Sequence, residues 1–133
     1  MESAFQFTNP SLIKLEFEIN DGFDVKKDEE IELNINMSVN VNKNPSANEA
    51  YVELIFASGE IGETAPFYIC AIEAAHFRWD ASLEDGFVDE LLHQNAASLL
   101  LAYLRPIVAQ ITMASPYDAY NIPFINFTQM GSD

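Results

Sequence analysis

The chain is short of the residues that build reaction centres and covalent staples. It has one cysteine, Cys70, in 133 residues, so no disulfide can close within it and a reducing compartment is open to it. Cys70 lies in the apolar run at residues 67–72, without basic neighbours, and reads as a buried inert thiol. The two histidines, His76 and His93, have no histidine or cysteine at ligand spacing, whereas a structural zinc needs about four ligands. Glycine is sparse and scattered. Gly59-Glu60-Ile61-Gly62 lacks the lysine and the strand–helix setting of a phosphate loop, and no Gly-x-Ser-x-Gly elbow occurs. The expectation is a protein that is not an enzyme, with no catalytic residue, metal or cofactor.

Long apolar runs are also missing. No stretch of about 18 apolar residues is present, so no bilayer span is expected. The N-terminal residues lack the basic and apolar regions of a signal peptide, and a cytoplasmic protein follows as the expectation. Basic residues are few: six against 21 acidic ones, for a formal charge of −15. Such a field repels phosphate backbones, which argues against nucleic acid, and it draws basic partners. Its plainest consequence is solubility.

What is present is hydrophobic patterning, with 49% of residues apolar. The length fits a single domain, 1–133, that buries roughly two-thirds of its unfolded surface. Ile13, Leu15, Phe17 and Ile19 alternate with Lys14, Glu16, Glu18 and Asn20, the period of a half-buried antiparallel strand. Asn20-Asp21-Gly22 ends it. The polar connection that follows carries Phe23 and Val25, which either tack the loop down or line a groove. Residues 31–42 alternate again, with apolar odd positions and an asparagine-rich even face. A third strand is expected at about 50–57. A fourth is expected at about 67–79, with a bulge or bend at Ala74 and Ala75. Glu16, Glu18 and Glu32 read as a solvated face rather than an acid/base pair.

A long helix then begins near Ser82, which with Asp85 three positions on fits a capping box. Val88, Leu91, Leu92, Ala96, Leu99, Tyr103, Ile107 and Ile111 form an amphipathic stripe, and Leu100, Leu101, Leu104 and Val108 widen it. A helix apolar over so much of its circumference is buried on two sides, and the second side is most simply another subunit. Leu99, Leu100, Tyr103, Leu104 and Ile107 are the candidate oligomer interface. Pro106 is expected to kink or divide the helix. An extended segment through Pro116 and Pro123 closes the chain. The fold class is α+β: a four-stranded antiparallel sheet, one long proline-interrupted helix and an extended C-terminal segment.

The helix stretch Leu104-Arg105-Pro106-Ile107-Val108-Ala109-Gln110-Ile111-Thr112-Met113 is followed by Pro116, Pro123 and Asn126-Phe127. This order resembles the SecB family of protein-export chaperones, which carry a proline in the long helix, an Ile-Thr pair and a terminal Pro-x-Asn-Phe. Here Pro123-Phe124-Ile125-Asn126-Phe127 has one residue more between proline and asparagine. The order of strands agrees over nearly the whole chain. The resemblance implies an ATP-independent holdase that binds unfolded preprotein segments, assembled as a homotetramer, a dimer of dimers through the long helices. It makes Phe23, Val25, Phe124 and Phe127 candidate peptide-binding residues, and Glu18 and Glu16 candidates for docking the SecA motor. Lys14 stands where the family has an acid, Ala71 replaces a third, and the family's second helix is missing, so the SecA face is only partly present.

Three readings stay open. The first is a general holdase for unfolded or exported polypeptides, or its dedicated form, a chaperone of one antitoxin in a toxin–antitoxin system. The second is a small α+β enzyme or binding protein with a closed apolar pocket holding a carboxylate. The third is a structural adaptor with no affinity for unfolded chains.

Overall fold

The computed structural model describes residues 2–23, 33–44, 46–59 and 65–128. Five strands, β1 (Phe5–Phe7), β2 (Ser11–Ile19), β3 (Ile35–Asn44), β4 (Glu49–Ser58) and β5 (Phe67–Trp79), make one antiparallel sheet. The helical part comprises α1 (Asp85–Glu90), a π-helical turn (Leu91–Asn95) and α2 (Ala96–Met113). The sheet order is β1-β5-β4-β3, with β2 also on β5. Because β4 covers one edge of β5 from Ile69 to Arg78, β1 and β2 share the other edge end to end. They are two halves of one strand interrupted by Pro10, which has no N–H for the ladder. At the break the Thr8 side chain fills in: the Thr8 amide donates to the His76 carbonyl (2.9 Å), and the His76 amide donates to Thr8 Oγ1 (3.2 Å).

The sheet is therefore four strands wide, as the alternation implies, with five segments. The short β1 escapes the sequence reading because three residues are too few to show a period. The expected bulge is displaced. Ala74 and Ala75 pair regularly with Glu53 and Val52, and the irregularity falls on the neighbouring strand at Ile13, between the pairs Leu12↔Glu73 and Lys14↔Ile72. An interrupted edge strand yields its register more readily than a central strand tied on both sides.

One face of the sheet carries the core. Register puts Val52 with Ala75, Leu54 with Glu73 and Phe56 with Ala71 on the helix side. Against them α2 presents Ala96, Ala97, Leu100, Leu104 and Val108, all fully buried. The alanines on both sides let helix and sheet approach closely. By length and composition the 29-residue helix Asp85–Met113 is apolar enough to cross a bilayer, with a mean hydropathy of 1.4 over 18 residues. The sheet occupies its inner stripe and accounts for much of that apolarity. Leu100 and Leu104 belong to this core and not to an outer interface, because Cβ direction on the helix turns them onto the strands.

The helix ends depart from expectation too. Ser82 caps nothing; its amide donates to Asp80 Oδ1 (3.0 Å), and Glu84 is the N-cap without a side-chain bond. Pro106 sits inside an unbroken α2. The carbonyl it deprives of a partner, that of Ala102, is on an exposed residue where water can replace the lost bond. The irregular turn lies earlier, at Leu91–Asn95.

Two polar groups are embedded in this frame. Thr112, fully buried, donates through Oγ1 to the Val108 carbonyl (2.8 Å), and the same oxygen accepts from the Tyr120 amide (2.7 Å). It pins the segment after the helix back onto the last turn, where Ile122 packs into the core. Glu73 is 2% exposed on the helix side of β5, between Leu12 and Leu54, and its Oε1 has no hydrogen-bond partner. Burial pushes its carboxyl pKa above the usual glutamate value.

A raised native pKa means the folded chain holds a proton that the unfolded chain releases. The stability from neutral Glu73 is then fully present below about pH 4.3, the ordinary glutamate value, and is lost as pH rises through the raised native one. Glu73→Leu should stabilise the fold by about 1–3 kcal/mol at pH 8 and flatten that decline, read by urea unfolding at pH 5 and pH 8. Thr112→Val should destabilise by about 1–3 kcal/mol, because the Tyr120 amide loses its acceptor; faster hydrogen exchange at Tyr120 would mark the cause.

Candidate functional site

The segment pinned by Thr112 carries the most exposed aromatic side chain among the described residues. Phe124 is 91% exposed, and the Arg105 guanidinium lies 5.0 Å from its ring centre. Arg105 is on α2, so a cation–π contact props the phenyl group on the helix while its other face is open. Pro123 before it fixes the backbone angle that turns Phe124 outward while Ile122 turns inward. Phe127, three residues on, is buried at 5% and joins the core. Of the two aromatic candidates in this segment, only Phe124 presents a free face.

Phe23 is half-buried, at the end of a turn in which its amide donates to the Asn20 carbonyl (3.1 Å). Val25 lies outside the described residues. The outer side of α2 carries Leu99 and Ile107, half-buried, and Tyr103, 42% exposed. These three are what remains of the candidate interface after Leu100 and Leu104 are assigned to the core. Met113 at the helix end, 65% exposed, extends the same apolar character.

Glu16 and Glu18 are on the far side of the sheet, opposite Cys70 and Tyr68. With Leu15, Phe17 and Tyr68 they line a shallow depression of about 520 Å³. Lys14 Nζ is 3.0 Å from Glu16 Oε1, and this contact raises the lysine pKa. Burial raises the Tyr68 hydroxyl pKa, and the neighbouring Cys70 adds to it. Cys70 is buried, as its apolar run implies. One acid of the pair is therefore already matched by a cation. His76 packs against Tyr51 (4.8 Å between rings), and His93 Nδ1 is 2.9 Å from the Asp89 carbonyl oxygen. Among the described residues no three His, Cys, Asp or Glu side chains come together as metal ligands.

A second depression lies between the π-helical turn and the chain's last described residues. It has a volume of about 310 Å³ and is lined by Gln94, Asn95, Ser98 and residues 125–128. Sequence reading gave no hint of it, because the lining comes from two segments about 30 residues apart with unremarkable composition. Glu73, the buried carboxylate that an enzyme reading would want, lines neither depression.

No protein-family model matches the chain, and no curated protein sequence is similar to it. Among solved structures it is similar to Rv1957, a SecB-like chaperone of Mycobacterium tuberculosis, in complex with a ChAD peptide from the Rv1956 HigA1 antitoxin. The TM-score is 0.75 over 92% of this chain and 91% of that one, at 11% identity. A protein of unknown function from Streptococcus agalactiae aligns at a TM-score of 0.49, with 10% identity, over 90% of this chain and 97% of that one. The topology, an antiparallel sheet backed on one face by a long helix and a returning extended segment, matches the first of these along almost its full length. The chain has the SecB-like fold.

Proposed function

We propose that the chain is an ATP-independent holdase that binds unfolded polypeptide, and that it is a binding protein rather than an enzyme. The observation that carries this reading is Phe124, an aromatic side chain held 91% exposed on Arg105 by a segment otherwise fastened into the core. An isolated monomer gains nothing from this arrangement. A passing apolar side chain gains roughly 1.5–3 kcal/mol on burial, before ordering costs. Unfolded chains lose conformational freedom when pinned, so individual contacts stay weak and several sites must act together. A homo-oligomer supplies them, and the outer side of α2 with Leu99, Tyr103 and Ile107 is the surface offered for assembly. The acidic charge, −15, favours segments in which apolar and basic residues mix.

A dedicated client is the narrower form of the same reading. It is supported by the similarity to a SecB-like chaperone held with an antitoxin peptide. Docking to SecA has weaker support, since Lys14 neutralises Glu16 on the outer sheet face.

Suppression of aggregation of a slowly refolding protein, with assembly mass measured alongside, tests the proposal. The protein should hold the client without nucleotide and should be larger than a monomer. Phe124→Ser should weaken client capture about three- to tenfold while leaving the melting temperature nearly unchanged, since the side chain contributes little to the core. A monomer without holdase activity would end the proposal. Tyr103→Lys should reduce the mass of the assembly seen by light scattering; an unchanged mass would move the interface elsewhere.

A further inference from the structure

The depression beside the π-helical turn has a chemistry unlike the rest of the surface. On a chain of formal charge −15, none of its lining side chains ionises. The Gln94, Asn95 and Ser98 side chains make no hydrogen bond to the protein among the described residues. Asn126 Oδ1 accepts from the Thr128 amide (3.0 Å) and from Thr128 Oγ1 (2.5 Å), which leaves its Nδ2 donors to the depression. Beneath these groups lie Phe127, buried, and Ile125, half-buried.

We propose that this depression binds the main chain of an extended, uncharged stretch of polypeptide. The inference rests on the polypeptide-binding reading above and gives it a second contact of a different kind. Peptide groups are neutral and need both donors and acceptors, and carboxamides and a hydroxyl supply both. A charged ligand would leave water here without meeting a counter-charge. Spacing favours a peptide over other neutral ligands. Gln94 and Ser98 are four residues apart on one helix face, about 6 Å along the axis. Equivalent groups on an extended chain recur every two residues, about 6.7 Å. Alternate peptide groups can therefore meet the two side chains in turn, while the side chain between them faces Ile125 and Phe127. Phe124 is the residue just before this lining, so the same client segment runs from an apolar anchor into a polar cradle.

The test uses the full chain and fluorescence anisotropy with two labelled, uncharged, unstructured peptides of identical side chains. One is N-methylated at alternate amides. The double variant Gln94→Leu with Ser98→Ala removes two polar groups at partly exposed positions, and a thermal melt establishes that it folds. The unmodified peptide should bind the double variant about tenfold more weakly than the unaltered protein. The N-methylated peptide should already bind weakly and lose less than twofold further. A double variant that binds both peptides within twofold of the unaltered protein overturns the inference. So does displacement of the peptide by a neutral disaccharide, which would give the depression to a sugar. If the unaltered protein still holds unfolded protein in either of those cases, the holdase reading survives and only this contact fails. If it captures no peptide and no unfolded protein, both fall together.

Discussion

The seam between α2 and the inner face of β4 and β5 is the contact on which the rest of the molecule depends. Leu92, Leu100, Leu104 and Val108 meet Leu54, Phe56, Ile69 and Phe77 there, each buried essentially to completion. Each such side chain contributes on the order of 1.5–3 kcal/mol. The alanines at 71, 75, 96 and 97 set the closeness of approach. Closeness has a cost, because the same strand carries Glu73 into the seam, where a carboxylate finds neither water nor a partner for one oxygen. The fold tolerates this by holding the group neutral.

The seam is also what makes a surface. A helix committed on its inner side to the sheet leaves an outer side with Leu99, Tyr103 and Ile107 partly bare. The chain beyond it must return along the helix if it is to be fixed at all. Thr112 does the fixing, with a single hydroxyl that donates to its own helix and accepts from the returning strand. Ile122 then packs inward and Phe124 outward, one residue of each kind on either side of a proline. The exposed phenyl group is thus a consequence of core geometry, and its position relative to Arg105 and the neutral depression is set by where the pin lies.

Much of the sheet was legible because its strands alternate. From Ile35 to Val41 each odd residue is apolar and half-buried, and each even one is polar and exposed. Length and periodicity together also gave the helix and its apolar excess. The failures have local causes. Ser82 and Asp85 satisfy a capping pattern, but Asp80 captures the Ser82 amide first. Pro106 reads as a break, yet it faces solvent, where the unpaired carbonyl is cheap. The two alanines of β5 mark weak packing only in isolation; in the fold they are where helix and sheet touch. Phe127 resembles a surface anchor in its motif and is core in the structure.

The order of strands, the helix that follows them and the acidic balance were all determined by the sequence, because periodicity and charge are properties of neighbours along the chain. The direction in which each apolar helix residue faces, the burial of Glu73 and the pairing of Arg105 with Phe124 were decided only by tertiary packing. So was the meeting of the π-helical turn with residues 125–128. Each of these joins segments tens of residues apart or turns on a few degrees of helix rotation, and no local pattern encodes either.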